Sequence, residues 1–162
     1  MPTHFKGSRK EITALNAFIK FMRASGRISA HMDRFIATND LTEGQFGVLE
    51  ALFHLGDMCQ KALGEKMFST RGNITLIVDN LEKRDLVERV RDESDRRFIT
   101  VHLTEKGRSL IENIFPEHAA HIERTLSVLT EDEQVELGRL CKKLGTSQLP
   151  EFNAEEKVLA RS

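Results

Sequence analysis

Residues 67–108 read MFSTRGNITLIVDNLEKRDLVERVRDESDRRFITVHLTEKGR, and this stretch decides the fold. Within residues 69–84, four apolar side chains recur at offsets of three, four and seven: Ile74, Ile77, Val78 and Leu81. That spacing puts them on one side of an α-helix, so it predicts a helix with a single buried face. Ser69 and Thr70 stand at its start and are residue types that cap helices.

Two short β-rich runs follow, residues 86–91 and 98–103, joined by a charged tip at residues 92–97. In the second run Ile99, Val101 and Leu103 alternate with polar residues, which is the period of a strand with one covered face. A short helix over residues 60–66 precedes the longer one. Helix, turn, helix and hairpin in this order predict a winged helix-turn-helix that reads nucleic acid.

Several motifs in this region resemble the MarR-type winged-helix transcriptional regulators, and their order and spacing fit that family. They are Gly64-Glu65-Lys66, Val78-Asp79-Asn80-Leu81-Glu82-Lys83, Leu86-Val87-Glu88-Arg89, Asp95-Arg96-Arg97 and Leu103-Thr104-Glu105-Lys106-Gly107. The resemblance covers roughly residues 14–144 and implies a mainly α fold with a small β-hairpin wing, dimerising through N- and C-terminal helices. The chain departs from the family at Asp85, where relatives usually have glycine. Aspartate tolerates the left-handed conformation that this helix exit needs.

The front of the predicted recognition helix carries side chains suited to DNA. Arg71, Asn73 and Thr75 are polar and shaped for base edges. Gly72 lets the backbone approach phosphate, and Leu76 is suited to touch a thymine methyl. The complete set of expected recognition residues is Ser69, Thr70, Arg71, Gly72, Asn73, Thr75 and Leu76.

The predicted wing tip carries Asp95, Arg96 and Arg97. An exposed hairpin tip has no core to fill, and surface ion pairs stabilise it little, so these arginines are available for DNA. A guanidinium fits a narrow A·T-rich minor groove, where negative potential is concentrated. The resemblance implies that Asp95 holds Arg97 for minor-groove entry, whereas Arg96 faces away towards phosphate or supports the hairpin.

Composition bounds the class of protein. The chain has 162 residues, 40% hydrophobic content, a net charge of −1 and a pI of about 6.6, which is not the overall basic balance typical of DNA binders. Basic residues prevail in residues 1–43 and 61–108, and acidic residues in 109–162. No apolar run reaches membrane-span length, and the polar amino terminus, residues 1–10, lacks the apolar stretch of a signal peptide. We expect a cytoplasmic protein with no membrane association, no cofactor and reduced cysteines.

The remaining sequence divides into further helical segments. Four parts are predicted: a dimerisation helix in 1–40, the winged helix-turn-helix in 41–108, C-terminal dimerisation helices in 109–146 and a polar, mobile tail in 147–162. Thr42, Thr104 and Thr130 are predicted helix caps. Pro116 is predicted to kink one helix and Gly145 to end the last. The first and last helices carry more apolar surface than one domain buries, which favours a homodimer.

Other residue groups allow two interpretations each. Arg27, His31 and Arg34 share a helical face that could meet an anion, although such a stripe is usually solvated. Glu117, His118 and His121 have metal-ligand spacing without the further ligand that zinc-sensing relatives supply, so we expect no metal. Cys59 and Cys141 could be redox-active, but inert thiols are the more frequent case.

Two other function classes remain. An enzyme would need an oriented base beside a nucleophile, and the pair of His54 and Cys59 has no third group to orient it. A winged helix that binds protein instead of DNA would present a more apolar face than Arg71, Asn73 and Thr75 do. We therefore expect a regulator of transcription bound to double-stranded, pseudo-palindromic operator DNA. The resemblance further implies that the protein represses transcription and that a small aromatic or phenolic effector releases it from DNA. The residues that bind this effector stay unassigned.

Overall fold

The computed structural model describes residues 4–67, 71–91 and 99–148, with only the backbone described at Arg71 and Gly72. The chain forms two compact units, residues 1–125 and 126–162. The described elements are α1 (Arg9–Ala37), α2 (Glu43–Leu55), β1 (Met58–Cys59), α3 (Gln60–Lys66), α4 (Arg71–Lys83), β2 (Val87–Arg91), β3 (Ile99–Leu103), α5 (Glu105–Leu126) and α6 (Glu131–Thr146). The mainly α fold with a small β-sheet is confirmed.

The helix starts follow from local capping. The Thr42 hydroxyl accepts from the amide of Gln45 at 3.2 Å, and the Gln45 side chain accepts from the Thr42 amide at 3.1 Å. Thr130 caps α6 with the same reciprocal pattern, and the Thr104 hydroxyl accepts from the Gly107 amide at 3.0 Å. All three predicted caps are confirmed, because each bond satisfies a helix-start amide that has no partner within its helix. Ser8 forms a further capping box at the start of α1, which was not predicted.

The exit from α4 is made by Asp85. Its φ of 58° is left-handed, which confirms the conformation predicted for this position. The Leu86 amide donates to the Leu81 carbonyl at 3.0 Å, and the Asp85 amide to the Glu82 carbonyl at 2.9 Å. These two bonds form a Schellman motif, which ends α4 and turns the chain into β2.

The prediction that Gly145 ends α6 is wrong, because the helix includes Gly145 and ends at Thr146. The Thr146 hydroxyl donates to the Lys142 carbonyl at 2.9 Å, and the Ser147 hydroxyl to the Leu144 carbonyl at 2.9 Å. Carbonyls of the last turn are thereby satisfied without a left-handed glycine. In α5, Pro116 lies inside a continuous helix, and its predicted kink stays a prediction.

The strands form an antiparallel sheet in the order β1-β3-β2. β2 and β3 make the predicted hairpin, with Val87 opposite Leu103 and Arg91 opposite Ile99. β1 adds a third strand that the sequence did not predict, with Met58 opposite Val101. Two residues are too few to show an alternating pattern, so only the pairing with β3 reveals this strand.

One apolar core holds the first unit together. Its buried side chains come from α1 to α5, the sheet, and the α1–α2 and α4–β2 turns: Ile36, Leu41, Phe46, Val48, Leu49, Leu52, Leu63, Ile74, Val78, Leu81, Leu86, Val87, Val101, Ile111 and Ile114. The start of α5 lies so close to the α4–β2 turn that a Cβ on Gly107 would stand 1.9 Å from the Leu86 carbonyl oxygen. This contact fixes α5 against the end of the recognition helix.

Apolar side chains also lie on the surface. Phe18 is 61% exposed, and Phe21 and Met22 beside it on α1 are exposed as well. In the second unit, α6 buries none of its side chains, and Leu140 and Leu144 are exposed. Across the described ranges, no helix is both long enough and apolar enough to cross a membrane.

Candidate nucleic-acid interface

The helix α4 has two faces of opposite character. Ile74 is 1% exposed, and Val78 and Leu81 are completely buried, so this side of the helix belongs to the core. Asn73 and Thr75 are exposed, as is Leu76 with 58% of its surface accessible. Because the buried side fixes the helix, its front half presents these side chains outward. This is the arrangement that a major groove accepts.

The helix α3 packs beside the recognition helix and reaches one of its exposed side chains. The Gln60 side-chain amide donates to the Thr75 hydroxyl across 3.5 Å. This contact links the first residue of α3 to an expected base-reading residue, and no local sequence pattern indicates it. Arg71 and Gly72 begin α4, while Ser69 and Thr70 lie outside the described residues. Their expected DNA contacts stay predictions.

The wing extends from the β2–β3 hairpin. Arg91 pairs with Ile99 at the outer end of the hairpin. The expected minor-groove residues Asp95, Arg96 and Arg97 fall between these two strands in the sequence, outside the described residues. Their roles therefore remain predictions.

Arg89 fastens the wing to the recognition helix. Its guanidinium forms ion pairs with Asp79 at 2.5 Å and with Glu82, both on α4. The Arg89 amide also donates to the Glu82 carboxylate at 3.1 Å. The Arg89 side chain is only 20% exposed, so these bonds are better shielded from water than ordinary surface pairs. The Arg89 side chain thus helps to hold β2 at a fixed angle to α4.

Sequence reasoning did not assign this role to Arg89, although a signal was present. In the predicted strand, Arg89 stands two residues after Val87, so both side chains point to the same face. Val87 is buried, and a cation beside it on a covered face needs an anionic partner. The carboxylates one helix turn apart on α4, Asp79 and Glu82, were the available partners.

A cluster of aromatic and imidazole rings lies between α1, α2 and α5. His118 is 8% exposed, and its ring centroid lies 4.5 Å from that of Phe46, with the two ring planes tilted by 49°. Its Nδ1 is buried without a hydrogen-bond partner among the described residues. Burial lowers the pKa of His118; Glu50 raises it and His121 lowers it to smaller extents. The imidazole of His118 therefore takes up a proton at a lower pH than the imidazole of a solvated histidine does.

The remaining candidate residues lie on α1, β1, α5 and α6. Arg27, His31 and Arg34 are exposed on α1, with the His31 ring 6.1 Å from that of His121. The described residues contain no group of three or more side chains suited to hold a metal ion. Within the same ranges, Cys59 is exposed, Cys141 is partly buried and both are free thiols.

Comparison with known proteins agrees with this geometry. Residues 41–99 match the sequence model of the MarR family. The HTH-type transcriptional regulator MhqR of Bacillus subtilis is 39% identical over 132 residues, which are 82% of this chain and 91% of MhqR. AbsC, a MarR family transcriptional regulator from Streptomyces coelicolor, has the same fold with a TM-score of 0.78 at 20% identity, over 88% of this chain and 96% of AbsC.

A third similar protein is BpsR of Bordetella bronchiseptica, whose DNA binding is regulated by 6-hydroxynicotinic acid. Its structure matches with a TM-score of 0.73 at 27% identity, covering 80% of this chain and 98% of that one.

A short helix, a second helix with one buried and one exposed face, and a β-hairpin bonded to that second helix are the parts of a winged helix-turn-helix protein. The chain belongs to the MarR family. It is a DNA-binding transcriptional regulator, and the expectation that it is not an enzyme is confirmed by its relatives.

Proposed function

We propose that this regulator is a homodimeric, cytoplasmic repressor that binds a pseudo-palindromic operator and is released by a small aromatic or phenolic effector. The observation that carries the DNA-reading part is the exposed front of α4, with Asn73, Thr75 and Leu76 opposite a fully buried back. Arg71 and Gly72 complete the recognition surface in this proposal, with Ser69 and Thr70 at its edge. The regulation of BpsR by 6-hydroxynicotinic acid supports a small effector.

The wing adds a second contact in this proposal. Arg97 enters the minor groove beside each half-site, Asp95 orients it and Arg96 contacts phosphate or supports the hairpin. The bonds from Arg89 to Asp79 and Glu82 support this geometry, because they tie β2 to the recognition helix. Major-groove and minor-groove contacts then move as one rigid piece.

The operator follows from the proposed twofold symmetry. Two recognition helices on the same side of a duplex must enter successive major grooves, so half-site centres lie about 10 base pairs apart.

The exposed face of α1 with Arg27, His31 and Arg34 is assigned no part in DNA reading. It stays a candidate anion-binding face for the effector.

Selection of bound duplexes from a random DNA pool tests the proposal and identifies the operator in the same experiment. The expected product is an inverted repeat with half-sites about one helical turn apart and A·T-rich flanks. Measuring affinity for that site at several fixed salt concentrations separates sequence reading from general phosphate attraction. Recovery of unrelated sequences would contradict the proposal and favour a winged helix that binds protein.

A further inference from the structure

Gln60, the first residue of α3, lies beside the exposed front of the recognition helix. Its side-chain nitrogen Nε2 donates to the Thr75 hydroxyl across 3.5 Å, although the two residues are 15 positions apart in the sequence. Thr75 is exposed, and Gln60 is partly buried beside it. A base edge that meets the Thr75 hydroxyl therefore lies within reach of the Gln60 amide as well.

The backbone at Gln60 is held from both sides. The preceding residue, Cys59, pairs with Thr100 of β3, and Leu63, three residues further on, is completely buried in the core. The sheet and α3 thus carry Gln60 at a fixed position beside α4. A side chain that is positioned before DNA arrives loses less conformational entropy on binding than a freely moving one does.

The hydrogen-bonding groups that Gln60 keeps match the edge of adenine. A glutamine side chain has two N–H donors and a carbonyl acceptor, and the bond to Thr75 uses one of the donors. Among the described residues, the second N–H and the carbonyl form no hydrogen bond. In the major groove, adenine presents the acceptor N7 beside the donor N6–H. The remaining N–H and carbonyl of Gln60 can therefore bind both of these groups at once.

Other groups of DNA fit this pair of atoms less well. The edge of guanine presents two acceptors, so the carbonyl of Gln60 would face another oxygen, and cytosine and thymine each offer one of the two partners only. A phosphate also offers acceptors alone and would leave the same carbonyl unpaired. An unpaired carbonyl in a desolvated interface costs free energy. The amide of Gln60 therefore favours adenine over the other bases and over the DNA backbone.

We propose that Gln60 is a specificity-determining residue outside the recognition helix, and that it reads one adenine of each half-site beside Thr75. Operator choice then depends on the sequence of α3 as well as on that of α4. This assignment rests on the proposed function, because it requires that the front of α4 enters the major groove.

The variant Gln60→Glu tests the assignment through a change of base preference. It keeps the length and shape of the side chain but replaces the N–H donors by an oxygen. A carboxylate accepts only, and the base edge that suits it is the N4–H donor of cytosine. Selection from a random DNA pool with this variant is therefore expected to return cytosine in place of adenine at one position of each half-site, with the other positions unchanged.

The variant Gln60→Met tests the same base pair by loss of contact. Methionine has a similar length and no N–H or carbonyl group in its side chain, so discrimination at this base pair is expected to fall about tenfold. Lys61→Met, a change at the next and exposed residue of α3, is the control. It should leave the base preference as it is in the original chain.

A base analogue tests the hydrogen bond to adenine directly. In 7-deazaadenine the N7 acceptor is missing, so placing it at the adenine concerned is expected to weaken binding of the original chain about fivefold. The same analogue is expected to change the affinity of Gln60→Met less than about twofold. Lys61→Met should keep the full response.

Circular dichroism checks that each variant is folded, and Gln60→Met remains a test if Gln60→Glu is not. An unchanged base preference in either folded variant would overturn the assignment. An equal loss of affinity on every sequence would overturn it too, because that result is expected if Gln60 contacts phosphate or only supports α4. Failure of the original chain to select any operator would contradict the proposed function, and the assignment of Gln60 with it.

Discussion

At the residue scale, the absence of a side chain at Gly107 is a structural requirement. A Cβ there would stand 1.9 Å from the backbone oxygen of Leu86, which accepts a hydrogen bond from the Thr104 amide at 3.2 Å. We expect Gly107→Ala to lower the free energy of unfolding by about 2 kcal/mol or more, through steric strain. Urea denaturation measures this difference.

The matched control is Gly138→Ala on α6. A Cβ at Gly138 meets nothing within 4 Å, and alanine is the better helix former by about 1 kcal/mol. The two glycine-to-alanine changes should therefore shift stability in opposite directions. A Gly107→Ala variant as stable as the original chain would contradict the close approach of α5 to Leu86.

His118 gives the molecule a specific dependence on pH. Because burial, opposed by Glu50 and reinforced by His121, lowers its pKa from 6.5, the unfolded chain binds a proton at a pH where the folded chain does not. The part of the folding stability that depends on a neutral His118 is complete above pH 6.5 and is lost as the pH falls towards the lowered pKa. Urea denaturation at pH about 7.5 and about 5.5 measures the loss.

The variant His118→Phe isolates that contribution. Phenylalanine keeps a ring beside Phe46 and removes the titrating group, so the stability difference between the two pH values should be smaller than in the original chain. An unchanged difference would mean that the acid sensitivity comes from other groups, and that the imidazole is better solvated than its burial indicates.

At the element scale, Arg89 joins the wing to the recognition helix. Arg89→Met leaves Asp79 and Glu82 close together without their cation. We expect a stability loss of about 1–2 kcal/mol. We also expect an operator affinity about tenfold lower, because the hairpin loses its fixed angle. Arg108→Met, an exposed arginine outside this contact, serves as the control and should change neither quantity appreciably.

A triple variant separates charge from shape. Combining Arg89→Met with Asp79→Asn and Glu82→Gln removes the repulsion between the carboxylates, so part of the stability should return while operator affinity stays low. If the single and triple variants lose equal stability, uncompensated charge is not the cause. If operator affinity is unchanged in both variants, DNA binding by the wing does not depend on the contact of Arg89 with Asp79 and Glu82.

The elements show which features local sequence can predict. The stripe Ile74, Ile77, Val78 and Leu81 predicted α4, and the caps at Thr42 and Thr130 predicted helix starts, because each signal lies within a few residues. The contact of Arg84 with Asp40 spans 44 positions along the chain. No periodicity or motif reports such a contact, since it depends on how α1, α2 and α4 pack.

At the scale of the whole molecule, two surfaces favour the proposed homodimer. Phe18, Phe21 and Met22 are exposed on α1 of the first unit, and Leu140 and Leu144 on α6 of the second. Light scattering at micromolar concentration should give twice the single-chain mass of 18.5 kDa. Refractive-index detection is needed because the chain has no Trp or Tyr. A single-chain mass would contradict the dimer, and Phe18→Glu should produce that mass if α1 forms the interface.

The central claim is that the exposed front of α4 reads base pairs. Its most direct test is the affinity of Asn73→Ala for the selected operator and for a panel of single-base-pair substitutions of it, at one fixed salt concentration. The account predicts a loss of about 1–3 kcal/mol on the operator, together with lost discrimination at one base pair of each half-site. Equal loss on every sequence of the panel, or no loss at all, would contradict it.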